Sequence, residues 1–460
     1  MPLAAQIAAQ LRTAMAEGRL AGGERLPASR TLAAELGVSR TVINGAYAQL
    51  FAEGWIEGRH GSGTYVADGA PADHTAATPP AAAPPIRLAG PLAGRYSPVD
   101  AAAASIDLRP GIPWTAGIDP AAWRRAWRIA GLQPPTAAHP AGLPELRAAL
   151  TGYLRRSRGI QCTSGEVMVT RGIAGGLGLI AAALLRPGDP VGVEEPGYPV
   201  ARDVLAAHGA RVVPCRVDAD GLVVGELPAG LKLVYTTPSH QYPLGGRLPV
   251  PRRRALIAWA RANGALIAED DYDGEFRYDV APLPPLYGLD PEVVIYLGTP
   301  TKTFTPALRV GWLAARPQLV TILTWTADRL DASATGPAQH AVLTLLTSGD
   351  LERHIRRMRH EYARRRAVLT AVFQDGQAGH LLGGEAGLHV VLRTSRDAEA
   401  DAAATASRQG VAVGTLTRFY AGPVTGNGLV IGYGGAPRAQ AARGSQILRQ
   451  ILTGAAGIGD

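Results

Sequence analysis

The sequence predicts an α/β protein that carries a small helical head, and three observations lead there. Short β-branched, apolar runs alternate with helical stretches from about residue 105 to 455. The first 66 residues have a tight pattern of their own. Between them, residues 67–104 are rich in Ala and Pro with few large apolar groups. Such a stretch cannot bury enough surface to offset chain entropy, and it reads as a linker partly stiffened by Pro-Pro pairs. The expected division is therefore 1–66, 67–104 and 105–460, consistent with the two or three domains that 460 residues suggest.

Composition narrows the function classes. No apolar run is long enough for a membrane span, and the N-terminus lacks a signal-peptide layout. Cys162 and Cys215 lie far apart and form neither a disulfide framework nor a metal site, so a reducing cytoplasm and no metal are expected. The net charge of +8 is only a weak pointer to polyanions. Residues 1–66 hold six Arg and five Glu, so a nucleic-acid argument there rests on where the arginines sit. The densest basic stretch, "LERHIRRMRHEYARRR" (351–366), reads as a helix with Ile355, Met358, Tyr362 and Leu369 on one side. A solvated arginine face is favoured there over a second DNA contact.

The head comes first. In "LPASRTLAAELGVSRTVINGAYAQLFAEGWIEGRHGSGTYV" (26–66), Ser29 is placed to cap a short helix with Leu32 and Leu36 inward, ended by Gly37. Ser39 is placed to cap the next, whose apolar positions are Val42, Ile43, Ala46, Tyr47 and Leu50. Two short helices around "LGV" read as helix-turn-helix, and "WIEGRHGSGTYV" as two strands with a glycine-rich tip, a wing. The alternative is a small helical dimerisation domain. On the first reading, the exposed start of the second helix offers Ser39, Arg40, Thr41 and Asn44 to bases and phosphates. Arg59, His60 and Gly61 stand at the wing tip. The string resembles the winged-helix domain of the GntR family of bacterial regulators. By that resemblance Arg30, Ser39, Arg40, Thr41, Asn44, His60 and Gly61 occupy DNA-contacting positions on an operator duplex.

In the large domain, "EVMVT" (166–170), "PVGVE" (190–194), "LKLVYT" (231–236), "ALIAED" (265–270) and "VVIYLG" (293–298) read as buried, largely parallel strands, with helices such as 252–264 between them. The last strand leads to Lys302. All but two of the 46 basic residues are arginine, the exceptions being Lys232 and Lys302. Arginine matches lysine in charge but supplies no nucleophilic amine, so a Schiff-base site tolerates no swap. Chance retention is the alternative. The neighbours Thr299, Thr301 and Arg309 favour chemistry: hydroxyls and a guanidinium beside an amine suit pyridoxal 5′-phosphate (PLP), which needs an anion clamp and an aldehyde trap.

Three further motifs add to this. "TRGIAGGLGLI" (170–180) opens a helix whose backbone N–H groups can cradle a phosphate, although a glycine run is often only a tight turn. "LIAEDDYDGEF" (266–276) ends a strand in Asp270, with Tyr272 two residues on. A buried carboxylate can keep a pyridine nitrogen protonated, but acids at a strand end also mark magnesium sites. "EEPGYPV" (194–200) offers Tyr198 as a stacking ring or as a core tyrosine.

Taken in order, glycine turn, aromatic turn, Asp…Tyr and lysine resemble the fold-type-I aminotransferases. With "TPSHQYPLG" (237–245) and the winged helix, the chain resembles the MocR subfamily of GntR regulators over nearly all of its length outside the linker. The resemblance implies a mostly parallel central sheet, a homodimer, and PLP held as a Schiff base on Lys302. It makes Asp270 the pyridine partner, Tyr272 the phenolate partner and Tyr198 the stacking ring, with Ala174, Gly175, Thr299, Thr301 and Arg309 as the phosphate cup.

Departures from the enzymes point away from turnover. Tyr242 stands where they have an asparagine before the proline, leaving His240 or Gln241 as substitutes. "GLVIGYGG" (428–435) lacks the arginine that grips a substrate carboxylate, and Arg418 is the nearest candidate. "AAHPAG" (137–142) has no tyrosine for a neighbouring subunit. The expectation is a PLP-dependent transcriptional regulator of vitamin B6 or amino-acid metabolism, with PLP or an amine as effector. The rivals are an active aminotransferase with an autoregulatory winged helix, and a regulator whose large domain only dimerises.

Overall fold

The computed structural model describes residues 2–59, 62–68, 105–132, 139–278 and 284–454. His60, Gly61 and all of the expected linker except Ala67 and Asp68 lie outside the described residues. The chain divides into two compact units, the division falling within the Ala/Pro-rich stretch.

The first unit holds α1 (Leu3–Ala16), α2 (Ser29–Glu35), α3 (Arg40–Ala52), β1 (Ile56–Arg59) and β2 (Gly63–Val66). Ile7, Ala8, Ala33, Ile43, Ala46, Leu50 and Ile56 form its core. Ser39 caps α3 as expected, its hydroxyl accepting from the Val42 N–H at 3.4 Å. Gly37, at φ +63°, takes the left-handed turn after α2 that a side chain resists. Two expectations are corrected. Ser29 is the first residue of α2 and does not cap it; Ala28 stands at the cap without a side-chain bond. Leu36 is 52% exposed, because α2 is a two-turn helix whose buried contact is Ala33. β1 and β2 pair antiparallel as the wing. Arg25 bridges to Tyr65 beside them, and Ala67 still donates to the Trp55 carbonyl at 2.9 Å.

The second unit begins with β3 (Ile106–Leu108). It continues through β4 (Val167–Thr170), β5 (Pro190–Glu195), β6 (Arg211–Asp218), β7 (Gly221–Leu222), β8 (Leu233–Thr236), β9 (Leu266–Asp270), β10 (Val294–Gly298) and β11 (Gly311–Ala314). It closes with β12 (His380–Leu382), β13 (His389–Arg393), β14 (Val411–Thr415) and β15 (Gly428–Gly432). All five expected strands form. The main sheet has the order β4-β11-β10-β9-β8-β5-β6-β7, with β10, β9, β8, β5 and β6 parallel to one another. Its central strands β8, β9 and β10 are buried almost throughout, whereas β6 near the edge carries exposed positions. A second sheet, β12-β13-β15-β14-β3, forms a smaller subdomain, where β3 pairs parallel with β14. The chain thus starts in the small subdomain, builds the large one, and returns.

Loops after the parallel strands gather at one edge of the main sheet, where open α/β sheets bind ligands. The "EDD" run at the end of β9 shows how alternation sorts its acids. Glu269 accepts the Leu286 and Tyr287 N–H groups at 2.8 and 3.0 Å. Asp271 pairs with Arg158 and accepts the Tyr296 hydroxyl. Asp270 receives the Tyr235 hydroxyl on the intervening face.

The helix Asp350–Phe373 keeps most of the expected solvated arginine face: Arg353, Arg356, Arg357, Arg359 and Arg364 are exposed, and Arg365 is the exception. Ile355, Met358, Tyr362 and Leu369 are buried as expected, but Arg365 is also fully buried. Its Nη1 donates to the Gly434 and Ala436 carbonyls at 2.9 and 2.6 Å, and its Nε to Glu361 at 2.9 Å. The guanidinium lies 4.0 Å from the Trp114 ring centre. Arg365→Leu strands these partners, and by the scale of broken buried ion pairs we expect a loss of about 3–5 kcal/mol, read from denaturant unfolding of the large unit.

Candidate functional site

One cavity at the carboxyl edge of the main sheet is lined by Gly172, Ile173, Ala174, Tyr198, Tyr235, Thr237, Tyr242, Asp270, Tyr272, Thr299, Thr301, Lys302 and Arg309, along with Arg171. Of the residues expected around PLP, only Gly175 is missing from the lining. Ala174 faces the cavity; Gly175 lies one position deeper in the helix Gly172–Leu184. The free N–H groups of a helix belong to its first turn, so the cradle is Gly172, Ile173 and Ala174. Gly172 itself takes φ +76°, and Gly311 backs it so closely that a Cβ there would come within 2.7 Å of the Gly172 Cα.

Lys302 follows β10, and its Nζ donates to the Gly111 carbonyl at 2.6 Å. Burial pushes the amine below its ordinary range, against the opposing pull of the Asp270 and Asp273 charges. A depressed amine is the form that attacks an aldehyde. At Gly111, φ +80°, a side chain would strain the backbone and its Cβ would crowd Nζ at 2.7 Å. Asp270 shares the cavity. Its Oδ2 accepts the Tyr235 hydroxyl at 2.5 Å, while its buried Oδ1 has no partner. Burial, and then the neighbouring Asp271 and Asp273 charges, raise this carboxyl to about 7.

At the other end, the Thr299 hydroxyl lies 2.8 Å from that of Thr301 and donates to the Val310 carbonyl at 3.1 Å. Arg309 is exposed and holds an unusual left-handed backbone, φ 50° and ψ 38°, a conformation that costs energy and clusters at functional sites. Its guanidinium makes no hydrogen bond among the described residues. Tyr198 meets Tyr242 edge-on at 5.7 Å, and burial pushes its hydroxyl up to about 12.

These groups fit PLP. An orphaned carboxylate oxygen suits a pyridinium N–H, a depressed amine suits an aldehyde, and hydroxyls, helix amides and a free guanidinium suit a phosphate.

The expected substitutes for the missing asparagine separate. Gln241 is spent on structure: its Nε2 donates to the Pro196 and Tyr242 carbonyls at 2.9 and 2.8 Å, and its Oε1 accepts the Leu244 N–H. His240 sits behind Tyr272, Nδ1 to hydroxyl 2.9 Å, outside the lining. Tyr242 itself lines the cavity. Arg418, the candidate carboxylate grip, is not brought into the cavity lining. It is exposed on the turn Leu416–Phe419, though its charge acts on the Tyr242 hydroxyl. Tyr235 and Gly111 were not anticipated. The first looks like a core tyrosine in a buried strand; the second left no signal.

In the first unit, Arg30, Ser39, Arg40, Thr41 and Asn44 are all exposed, and the Ser39 hydroxyl is engaged in its cap. Among the described residues Arg30 and Arg40 make no ion pair. Arg59 is held by Glu57 at 2.9 Å and lies 4.7 Å from the Tyr65 ring centre. Among the described residues no helix is long and apolar enough to cross a membrane.

A raised carboxyl carries a signed consequence. Asp270 binds its proton more tightly folded than unfolded, so stability falls as pH rises from about 4 to about 7 and the penalty persists above. Asp270→Asn removes that penalty and retains an acceptor for Tyr235. We expect the cofactor-free variant to melt higher than wild type at about pH 8, by up to about 4 kcal/mol, with little difference near pH 4. Thermal melts at the two pH values check it.

Residues 3–66 match the family of bacterial regulatory proteins, gntR family, and residues 123–428 match aminotransferase class I and II. The chain is 37% identical over 429 residues to an HTH-type pyridoxine biosynthesis transcriptional regulator of Corynebacterium glutamicum, covering 93% of this chain and 91% of that one. It is 33% identical over 456 residues to a probable rhizopine catabolism regulatory protein of Rhizobium meliloti, covering 95% and 90%. Among solved structures, an archaeal alanine:glyoxylate aminotransferase shares the fold with a TM-score of 0.70 at 25% identity, over 76% of this chain and 91% of that one. A winged helix of one family joined to the cofactor fold of the other, matched along nine-tenths of its length by regulators of the same design, makes this chain a member of the MocR subfamily of GntR-type regulators.

Proposed function

We propose that this chain is a PLP-dependent transcriptional regulator, acting in the cytoplasm as a homodimer on vitamin B6 or amino-acid metabolism. The observation that carries the reading is the single cavity holding a depressed amine at Lys302, an open carboxylate oxygen at Asp270 and an unbonded guanidinium at Arg309. PLP supplies an aldehyde that condenses with amines. Lys302 is the group that takes it, and Asp270 holds the ring nitrogen's proton. Tyr198 covers the ring face, and Tyr272 partners the ring oxygen. The amides of Gly172, Ile173 and Ala174, together with Thr299, Thr301 and Arg309, receive the phosphate. Gly175 contributes by letting the first turn of its helix close, with no contact of its own. The similarity to a pyridoxine biosynthesis regulator supports PLP itself as the signal; an amino acid or amine that competes with Lys302 for the aldehyde is the other effector class.

DNA binding belongs to the first unit. Arg30, Arg40, Thr41 and Asn44 are the proposed operator contacts, with Ser39 orienting α3 through its cap. His60 and Gly61, which lie between β1 and β2 in the sequence, complete the proposed set. An effector shifts DNA affinity only by binding two arrangements of the dimer unequally.

The rival reading is an aminotransferase with an appended head, favoured by the fold likeness to aminotransferases. Against it, Tyr242 fills the asparagine's place, Arg418 lies outside the cavity, and Gly428–Gly432 is buried and apolar throughout.

Two experiments decide. Titrating the protein on its own upstream DNA, with and without PLP, should show a PLP-dependent affinity and negligible transamination; rapid turnover with DNA affinity indifferent to PLP establishes the rival. Borohydride should fix PLP on the Lys302 peptide and none on exposed Lys232. Lys302→Ala should lose the label and the PLP response while keeping its cofactor-free DNA affinity within about twofold. For the head, Arg40→Ala should weaken operator binding by about 1–3 kcal/mol if it reads a base. A phosphate contact instead lowers binding on all sequences and flattens the salt dependence, and an unchanged affinity removes Arg40 from the interface.

A further inference from the structure

Tyr272 has one hydrogen to give and two directions in which to give it. Behind it lies a buried polar triangle. His240 Nδ1 is 2.9 Å from the Tyr272 hydroxyl and 2.8 Å from Asp273 Oδ2. His240 is 3% exposed and Asp273 1%. A carboxylate oxygen only accepts, so the shared nitrogen carries a hydrogen. His240 Nε2 is buried with no partner, where a second hydrogen would go unsatisfied. The ring therefore donates from Nδ1. Burial, then the Asp273 charge, keep the Tyr272 hydroxyl protonated. Asp273 also lies within hydrogen-bond reach of the Tyr272 hydroxyl, so the tyrosine hydrogen has that carboxylate and the cavity to choose between; an Nδ1–H that occupies Asp273 and donates to the tyrosine oxygen favours the cavity. Without the imidazole, the tyrosine's obvious acceptor is Asp273, which turns the hydrogen away.

The packing holds this arrangement. Gly387, at φ +77° in the small subdomain, lies against the pair, and a Cβ there would stand 2.5 Å from both Asp273 Oδ2 and the His240 ring. His389 flanks His240 at 5.4 Å between ring centres and bonds the Pro243 carbonyl at 2.9 Å. Tyr242 meets Tyr272 edge-on at 5.4 Å.

We propose that His240, fixed by Asp273, is the positioning residue that turns the Tyr272 hydroxyl hydrogen toward the cofactor's ring oxygen, in place of the asparagine that Tyr242 displaces. The inference rests on the reading of Tyr272 as that oxygen's partner. It gives His240 a task without placing it in the cavity.

The readout is the absorption of the PLP-loaded full chain across pH. A hydrogen donated to the ring oxygen draws negative charge from it, so the proton held between that oxygen and the Lys302 nitrogen is bound less tightly. Losing the donor moves the spectral midpoint up. The groups that face this proton or the triangle are Asp270, Asp273, Tyr242, Tyr272, Arg277, Tyr278, His389, Tyr433 and Lys302, and none but Tyr272 is altered in the comparison. Tyr272→Phe and His240→Phe should each raise the midpoint by about one pH unit, the scale of one hydrogen bond. His240→Asn, whose amide donates from nearly the Nδ1 position, should restore the wild-type midpoint. His240→Ala serves in place of His240→Phe if the larger ring does not fit beside Gly387. A wild-type midpoint in the ring-less variant while Tyr272→Phe shifts overturns the proposal, as does an asparagine variant displaced as far as the ring-less one. A wild-type midpoint in Tyr272→Phe overturns the underlying role of Tyr272 instead.

Discussion

The second unit is organised around a carboxylate that it can bury only incompletely. Asp270 ends the central strand β9 with one oxygen satisfied by Tyr235 and the other open to the cavity. Taking a charge out of water is costly, and the fold tolerates it because the opening is where a cationic ring nitrogen belongs. Neighbouring acids are kept apart from it by strand alternation. Glu269 bonds backbone amides on the other face, and Asp271 is neutralised by Arg158. Lys302 then sits close enough to feel the Asp270 charge and still be lowered by burial. Amine, acid and aromatic rings thus answer to one constraint, the supply of an anion at the end of one strand.

What the sequence made legible follows from substitution chemistry. Lys302 stood out because arginine replaces lysine almost everywhere else in the chain, and a guanidinium cannot condense with an aldehyde. Asp270 and Tyr272 stood out because polar residues at the end of an apolar strand face the ligand edge. The strands themselves were readable as short apolar runs, since a sheet covered on both faces has no polar side. Gly111 was not readable: it reaches Lys302 from 191 positions away in the sequence, and its role is played by a carbonyl that every residue has. Tyr235 hid because a tyrosine in a buried strand is ordinary core until its hydroxyl is traced. Ala174 lines the cavity and Gly175 does not, because the run of small residues does not mark where the helix begins.

Arginine plays several parts that composition alone runs together. Arg365 and Arg253 are fully buried, and Arg253 donates to three backbone carbonyls. They work as multi-pronged braces for loops that lack secondary structure, a task suited to a rigid planar fork. Arg309 and Arg40 are exposed and unbraced. A count of charges cannot separate these classes: Arg365 falls on the same buried stripe as Met358, Tyr362 and Leu369, while Arg353, Arg356, Arg357, Arg359 and Arg364 are exposed. That is why the 351–366 stretch, read as solvent-facing, proved partly internal.

The bond between the Gly111 carbonyl and Lys302 joins two ends of the second unit that are distant along the chain. Gly111 lies three residues beyond β3, the first strand after the Ala/Pro-rich stretch that follows the winged helix. Whatever engages the lysine amine competes with that carbonyl for it, so engaging Lys302 frees the backbone three residues beyond β3 from this bond.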